Sequence, residues 1–501
     1  MSEIRTLFLG PSDLSEKISI SEKVEWFYEP DFSQLPKKYF DVVIIDRDIK
    51  ENEFEFLKKY GKAYTFFFTK NVNFRKNSLN SLLRKMKIGK VISNEEIKDL
   101  LEKRIDDYYP NPYGEKYTPN VLSVAQGFNG SVIWRGYDGI ELNGDYGEDF
   151  CQIVYWRINI PIELNQTLEF WLEYEKDDSI SLELDISLFK RGSISELIGH
   201  FSFSEDELKD IVEVTNTVCA ASLFASVRAK GNGRLKIIAL HDRFSRRGIG
   251  TFLPGGQRYV TSKREEVFYY FDPGNLKPPL NVYFSGYKTL EGFEAYNLIK
   301  HLDHPFLLLS ESRLDGGAFY LGDQEYEDAI VAIINNSLKA LNFDNSQLVL
   351  SGLSMGTFGA VYYGAKLQPN TVLIGKPLTS LGDVAYNERI NRPGGFPTSL
   401  DVLYKNYGSL DEDAIDKMNK RMWDTFDAAD WSNTRIAVAY MLEDDYDSNA
   451  FANMQSHLKD AGVRIYGKGL HGRHNDNTDG IVLWFVGQYK KIMKEFEKNE
   501  K

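Results

Sequence analysis

Between Gln347 and Lys366 the chain reads QLVLSGLSMGTFGAVYYGAK. An apolar strand-like run passes through Gly-x-Ser-x-Gly directly into a run suited to a buried helix. A strand that enters a helix this abruptly folds back on itself, and only small residues fit on either side of the bend. The residue at the apex, Ser354, is then held in a strained turn with its hydroxyl exposed. The pentapeptide alone also describes a Gly-rich structural turn; the strand before it and the helix after it give it weight as a nucleophile elbow.

Further apolar runs surround this turn: LNVYFSG (280–286), PFLLLS (305–310), TVLIG (371–375), RIAVAYML (435–442) and VRIYG (463–467). Helical stretches separate them, as in a mostly parallel sheet whose crossovers cover both faces. An α/β-hydrolase-like catalytic domain is therefore expected over 250–501. A chain of 501 residues is too long for one core, and two other textures precede this one. TLFLG, DVVIID, AYTFFF and KVIS alternate with polar helical segments and predict a small α/β, Rossmann-like domain over 1–115. Its Gly10-Pro11-Ser12-Asp13 turn reads as part of that layer rather than as a nucleotide site. From 120 to 245 short aromatic and β-branched runs dominate. Leu182, Leu184, Ile186 and Leu188 alternate with polar residues, which predicts a β-sandwich, carbohydrate-binding-like domain. Trp134 and Trp156 are its candidate exposed aromatics, although sheet-core packing is the simpler expectation. The fold class expected is α/β, with a C-terminal α/β-hydrolase-like domain preceded by a small α/β domain and a β-sandwich.

Composition narrows the partners. A net charge of −13 argues against nucleic acid, which is held by clustered Lys and Arg. Cys151 and Cys219 are too few for a disulfide framework and fall in strand-like runs, so buried thiols are expected. With no apolar run of about 18 residues, a transmembrane segment is not expected, and a cytoplasmic location is.

A serine hydroxyl needs a general base, and the base needs an acid to fix its tautomer. In the hydrolase order both follow the serine, acid first. His457, His471 and His474 follow Ser354. His457 lies within the helical FANMQSHLKDAG, whereas His471 and His474 lie in the loop between the last strand and the closing helix. His474, nearer the helix start at Thr478, is favoured as base, with His471 as the alternative. The acid is expected just after RIAVAYML, among Glu443, Asp444, Asp445 and Asp447, and spacing does not choose between them. The oxyanion donors expected are the N–H of Met355, directly after the nucleophile, and that of Gly286 or Tyr287 after an early strand. His471-x-x-His474 with Asp476 and Asp479 is a poor ligand set, and no metal is expected.

With GLSMG, RLDGGAFYLG (313–322), MLEDDYD and GRHNDNT in view, the chain resembles the second accessory secretory protein family of the accessory Sec system in Gram-positive bacteria. The resemblance implies a Ser, Glu, His triad, carried over by position onto Ser354, Glu443 and His474, with Asp444 and Asp445 as alternative acids. It implies O-acetylation of N-acetylglucosamine on glycosylated serine-rich-repeat adhesins, coupled to their export. The partners implied are the first and third accessory secretory proteins, the accessory Sec motor ATPase and the adhesin, with recruitment to the membrane through the export machinery. No tightly bound cofactor is implied. Acetyl-CoA is the candidate acyl donor, and no phosphate-cradling loop accompanies it.

Overall fold

The computed structural model of the protein describes residues 3–459 and 462–499. Its strands form three sheets. The first contains Ile4–Leu9, Val24–Tyr28, Val42–Ile45, Phe66–Phe68 and Lys90–Val91, all parallel, in the spatial order second, first, third, fourth, fifth. The Gly10–Asp13 turn is taken up by the protein itself. Gly10 N–H donates to Glu29 at 2.8 Å, and Asp13 Oδ1 accepts from Ser15 N–H and the Trp26 indole.

The second sheet joins ten strands in one hydrogen-bonded network. Its spine is the 24-residue strand Ala221–Phe244. That strand pairs with Ile180–Lys190 over its first half and with Thr167–Lys176 over its second. The change of partner falls at Gly231 and Gly233, both at positive φ, a backbone region open to glycine at no steric cost. The network encloses one apolar core. Side chains alternate in burial before these glycines and are almost continuously buried in the last third of the strand. Trp156 is 2% exposed and donates its indole N–H to Tyr117 O, while Trp134 is 53% exposed at the free edge. Cys151 is exposed and Cys219 half-buried, contrary to the expectation of buried thiols.

The third sheet carries the candidate site. Its strands are β1 (Gln257–Val260), β2 (Glu266–Asp272), β3 (Leu280–Phe284), β4 (Phe306–Glu311), β5 (Leu348–Leu353), β6 (Thr371–Gly375), β7 (Arg435–Met441) and β8 (Arg464–Leu470). The spatial order is β1-β2-β4-β3-β5-β6-β7-β8, parallel from β4 through β8. β3 to β6 are buried almost throughout, which explains their unbroken apolar sequences. Helices α1 (Gln324–Leu341), α2 (Met355–Leu367), α3 (Leu381–Ile390), α4 (Thr398–Tyr407), α5 (Glu412–Asp427), α6 (Ala450–His457) and α7 (Thr478–Asn499) complete the layer. α3 to α5 form an insertion between β6 and β7. Among the described residues no helix is long and apolar enough to cross a membrane.

A buried ionic cluster joins the second and third sheets. Arg243 pairs with both Glu266 and Glu291, Arg258 also pairs with Glu266, and His241 Nδ1 lies 2.6 Å from Glu291.

Candidate active site

Ser354 stands between β5 and α2 with φ 51° and ψ −121°, a strained conformation for a residue with a Cβ. The surrounding backbone enforces it. Ser354 N–H donates to Gly375 O at 2.9 Å, and Thr357 N–H returns to Ser354 O. A Cβ on Gly352 would lie 2.3 Å from Gly356 O, and one on Gly356 would lie 2.1 Å from Phe284 O. Neither neighbour is a side chain that could turn away, so both flanking positions require glycine.

The hydroxyl lies 2.9 Å from His474 Nε2, and His474 Nδ1 lies 2.9 Å from Asp444 Oδ2. A carboxylate can only accept, so Nδ1 carries the proton and Nε2 presents its lone pair to the serine. His474 is 1% exposed and Asp444 7%. Burial by itself would raise the Asp444 pKa. The hydrogen bond from His474, with the backbone N–H groups of Tyr446 and Asp447 on Oδ1, outweighs burial and holds it below the usual carboxylate range.

The acid position is where the structure departs from the resemblance. Glu443 is exposed and faces away from His474. It accepts from Gly472 N–H at 2.6 Å and lies 3.0 Å from Nδ1 of His471, whose side chain is 87% exposed. Neither Glu443 nor His471 reaches Ser354. The reason lies in the backbone: Leu442 and Glu443 still extend β7 toward the loop after β8, through hydrogen bonds to Leu470 O and Gly472 O. The chain turns inward at the next residue, Asp444. Asp445 accepts the His474 backbone N–H at 3.0 Å. Asp447 caps the start of α3 through Thr379 and Ser380, and burial raises its pKa.

Of the expected oxyanion donors, Met355 N–H opens α2, where the first N–H groups of a helix lack intrahelical partners. Gly286 N–H is already donated to Glu294 Oε2 at 2.7 Å. Tyr287 N–H, one residue further, donates to no group among the described residues. Of the three expected donors, Gly286 is thus the one whose N–H is already taken.

Two supports were not legible beforehand. The Tyr446 ring stacks on His474, with centroids 4.3 Å apart and planes 24° from parallel. Lys376, following β6, holds the loop that carries the histidine by donating to Asp476 O and Thr478 Oγ1. No motif marks either residue; only the strand ends they follow suggest them. A second group of potential metal ligands, Glu173, His241 and Glu266, lies between the second and third sheets, with ligand atoms within 4.8 Å of one another. Arg243 and Arg258 already occupy the Glu266 carboxylate.

A family model described as the accessory Sec system GspB-transporter matches residues 4–498. The chain belongs to this family. An accessory Sec system protein of the family from Streptococcus gordonii is 35% identical over 509 aligned residues, covering 99% of each chain. One from Staphylococcus aureus (strain NCTC 8325 / PS 47) is 40% identical over 387 residues, covering 77% of this chain and 74% of the other. Among solved structures, a chain of the Glycosylation Associate Protein (Gap123) complex from Streptococcus agalactiae matches with a TM-score of 0.85 and 34% identity, covering 98% of both chains. The accessory Sec family match thus spans all three sheets.

Proposed function

We propose that the protein is a serine-dependent O-acetyltransferase with an α/β-hydrolase-like catalytic domain. In this reading it modifies N-acetylglucosamine on glycosylated serine-rich-repeat adhesins before their export through the accessory Sec system. The observation that carries the proposal is the Ser354–His474–Asp444 relay, with both hydrogen bonds at 2.9 Å. Ser354 attacks the carbonyl of an acetyl donor, for which acetyl-CoA is the candidate, while His474 Nε2 takes the hydroxyl proton. Met355 and Tyr287 N–H groups receive the developing oxyanion, and the imidazolium returns its proton to the leaving group. An acetyl-serine results. His474 then takes the proton of a sugar hydroxyl, which attacks the acetyl-serine and releases Ser354. Water in the place of the sugar would make the same site an esterase.

An export-adaptor role stands beside this one. It is supported by the match to a chain of the Gap123 complex, and its partners would be the first and third accessory secretory proteins, the motor ATPase and the adhesin. Such work places the protein in the cytoplasm, recruited to the membrane by the export machinery. Ser354→Ala separates the two roles, because it removes the hydroxyl with little change of volume. The test is intact-mass analysis of adhesin repeats from cells carrying wild-type protein or Ser354→Ala. Acetyl increments are expected in the first and absent in the second, with secretion retained. An unchanged glycan would leave the adaptor role alone.

A further inference from the structure

Three consecutive carboxylates, Glu443, Asp444 and Asp445, stand at the base of the site, and each has its own partner. Glu443 is taken by His471 and Gly472, Asp444 by His474, and Asp445 by Arg392, whose Nε lies 2.8 Å from Asp445 Oδ2. Arg392 comes from elsewhere in the chain, on the loop between α3 and α4 of the insertion. Its guanidinium carbon lies 3.9 Å from the centroid of the Tyr446 ring, the ring that stacks on His474. The loop is built to hold it there. Glu388 accepts the N–H groups of Gly394 and Phe396, Arg392 N–H donates to Asn387 O, and the Tyr446 hydroxyl donates to Gly395 O.

Asp445 is the group that most needs restraint. Its Oδ1 already holds the His474 backbone N–H at 3.0 Å, so a small rotation of a free carboxylate would bring it toward the imidazole. A second acceptor competing for the Nδ1 proton would pull the ring out of line with Ser354. Arg392 counters this by pairing with Asp445 and pinning its outer oxygen.

We infer that Arg392 is a positioning residue for His474: by sequestering Asp445, it leaves Asp444 as the one of the three consecutive carboxylates available to the base. The inference rests on Ser354 being a nucleophile, and it adds that the insertion must be docked on the acid loop for that nucleophile to be activated.

The test is the rate at which a fluorophosphonate labels Ser354, which reports activation without any acceptor sugar. Ser354→Ala sets the background, and the thermal midpoint checks the fold of every variant. Arg392→Met, which keeps the apolar stem and loses the charge, is expected to label about 10- to 100-fold more slowly than wild type. Adding Asp445→Asn, which keeps an oxygen for the His474 N–H and removes the stray charge, is expected to restore the rate to within about fivefold of Asp445→Asn alone. A structural loss would not be repaired by that second substitution. Should Arg392→Met fail to fold, Arg392→Lys is read in its place, with a smaller loss and the same rescue. Labelling of Arg392→Met at the wild-type rate, or a loss that Asp445→Asn does not relieve, would overturn the inference and leave the nucleophile standing. Wild type that labels no faster than Ser354→Ala would overturn the nucleophile itself.

Discussion

Asp444→Asn is the substitution whose outcome the structure fixes most tightly. Asp444 Oδ1 accepts two backbone N–H groups, from Tyr446 at 2.9 Å and Asp447 at 3.2 Å, while Oδ2 faces His474 Nδ1. An asparagine has one acceptor, and those two donors pin it at the Oδ1 position. Its amide NH2 then points at Nδ1 and donates to it, which forces the imidazole proton onto Nε2. The nitrogen facing Ser354 no longer has a lone pair, and the serine loses its base without any loss of volume or fold. Holding the wrong tautomer costs about 10³- to 10⁴-fold in rate, or about 4 to 5.5 kcal/mol in the barrier. Glu443→Gln disturbs an exposed pair with His471 and is expected to change the rate less than about twofold. Both are measured as the acylation rate with an activated aryl acetate under single-turnover conditions, with Ser354→Ala as background. The reasoning fails if Asp444→Asn keeps more than about a tenth of wild-type activity, or if Glu443→Gln loses as much as Asp444→Asn does; the second result would restore the acid implied by the family resemblance.

Gly356→Ala places a methyl group 2.1 Å from Phe284 O, in the backbone of a central strand. The expected loss is about 1–3 kcal/mol, read as a lowered thermal midpoint together with slower acylation, since the clash displaces the turn that holds Ser354. Asp401, half-buried beneath Tyr137, has its carboxyl pushed up to about 7, first by burial and then by the nearby charges of Asp138 and Asp315. A carboxyl raised in this way contributes stability that is present below its unfolded value and is lost as pH rises through about 7. Asp401→Asn should therefore gain about 1–2 kcal/mol of stability over wild type as pH rises from 5 to 8, read as a rising difference in thermal midpoint, and level off above that. A difference that stays flat across this range would mean the carboxyl is hydrated and unshifted.

The sequence by itself settled what local chemistry can settle. A strand, a Gly-x-Ser-x-Gly turn and a helix leave one place for the serine, because only glycine fits where the chain folds back on Phe284 O and Gly356 O. The long apolar runs of β3 to β6 marked strands buried on both faces, and chain order placed a histidine loop after β8. The choice of carboxylate was beyond it. Glu443, Asp444 and Asp445 are adjacent, and which one meets the histidine depends on where the chain leaves β7: Glu443 is still tied to Gly472 O, and the next residue turns inward. Gly286 was as good an oxyanion donor as Tyr287 until the fold brought Glu294 to its N–H. Arg392 gave no signal, because it stands 82 positions before His474 (474 − 392) and meets Asp445 and Tyr446 only after the insertion has docked. A nucleophile is encoded by the strain of its own turn, whereas its partners are fixed by contacts between segments far apart in the chain, and those contacts exist only in the folded protein.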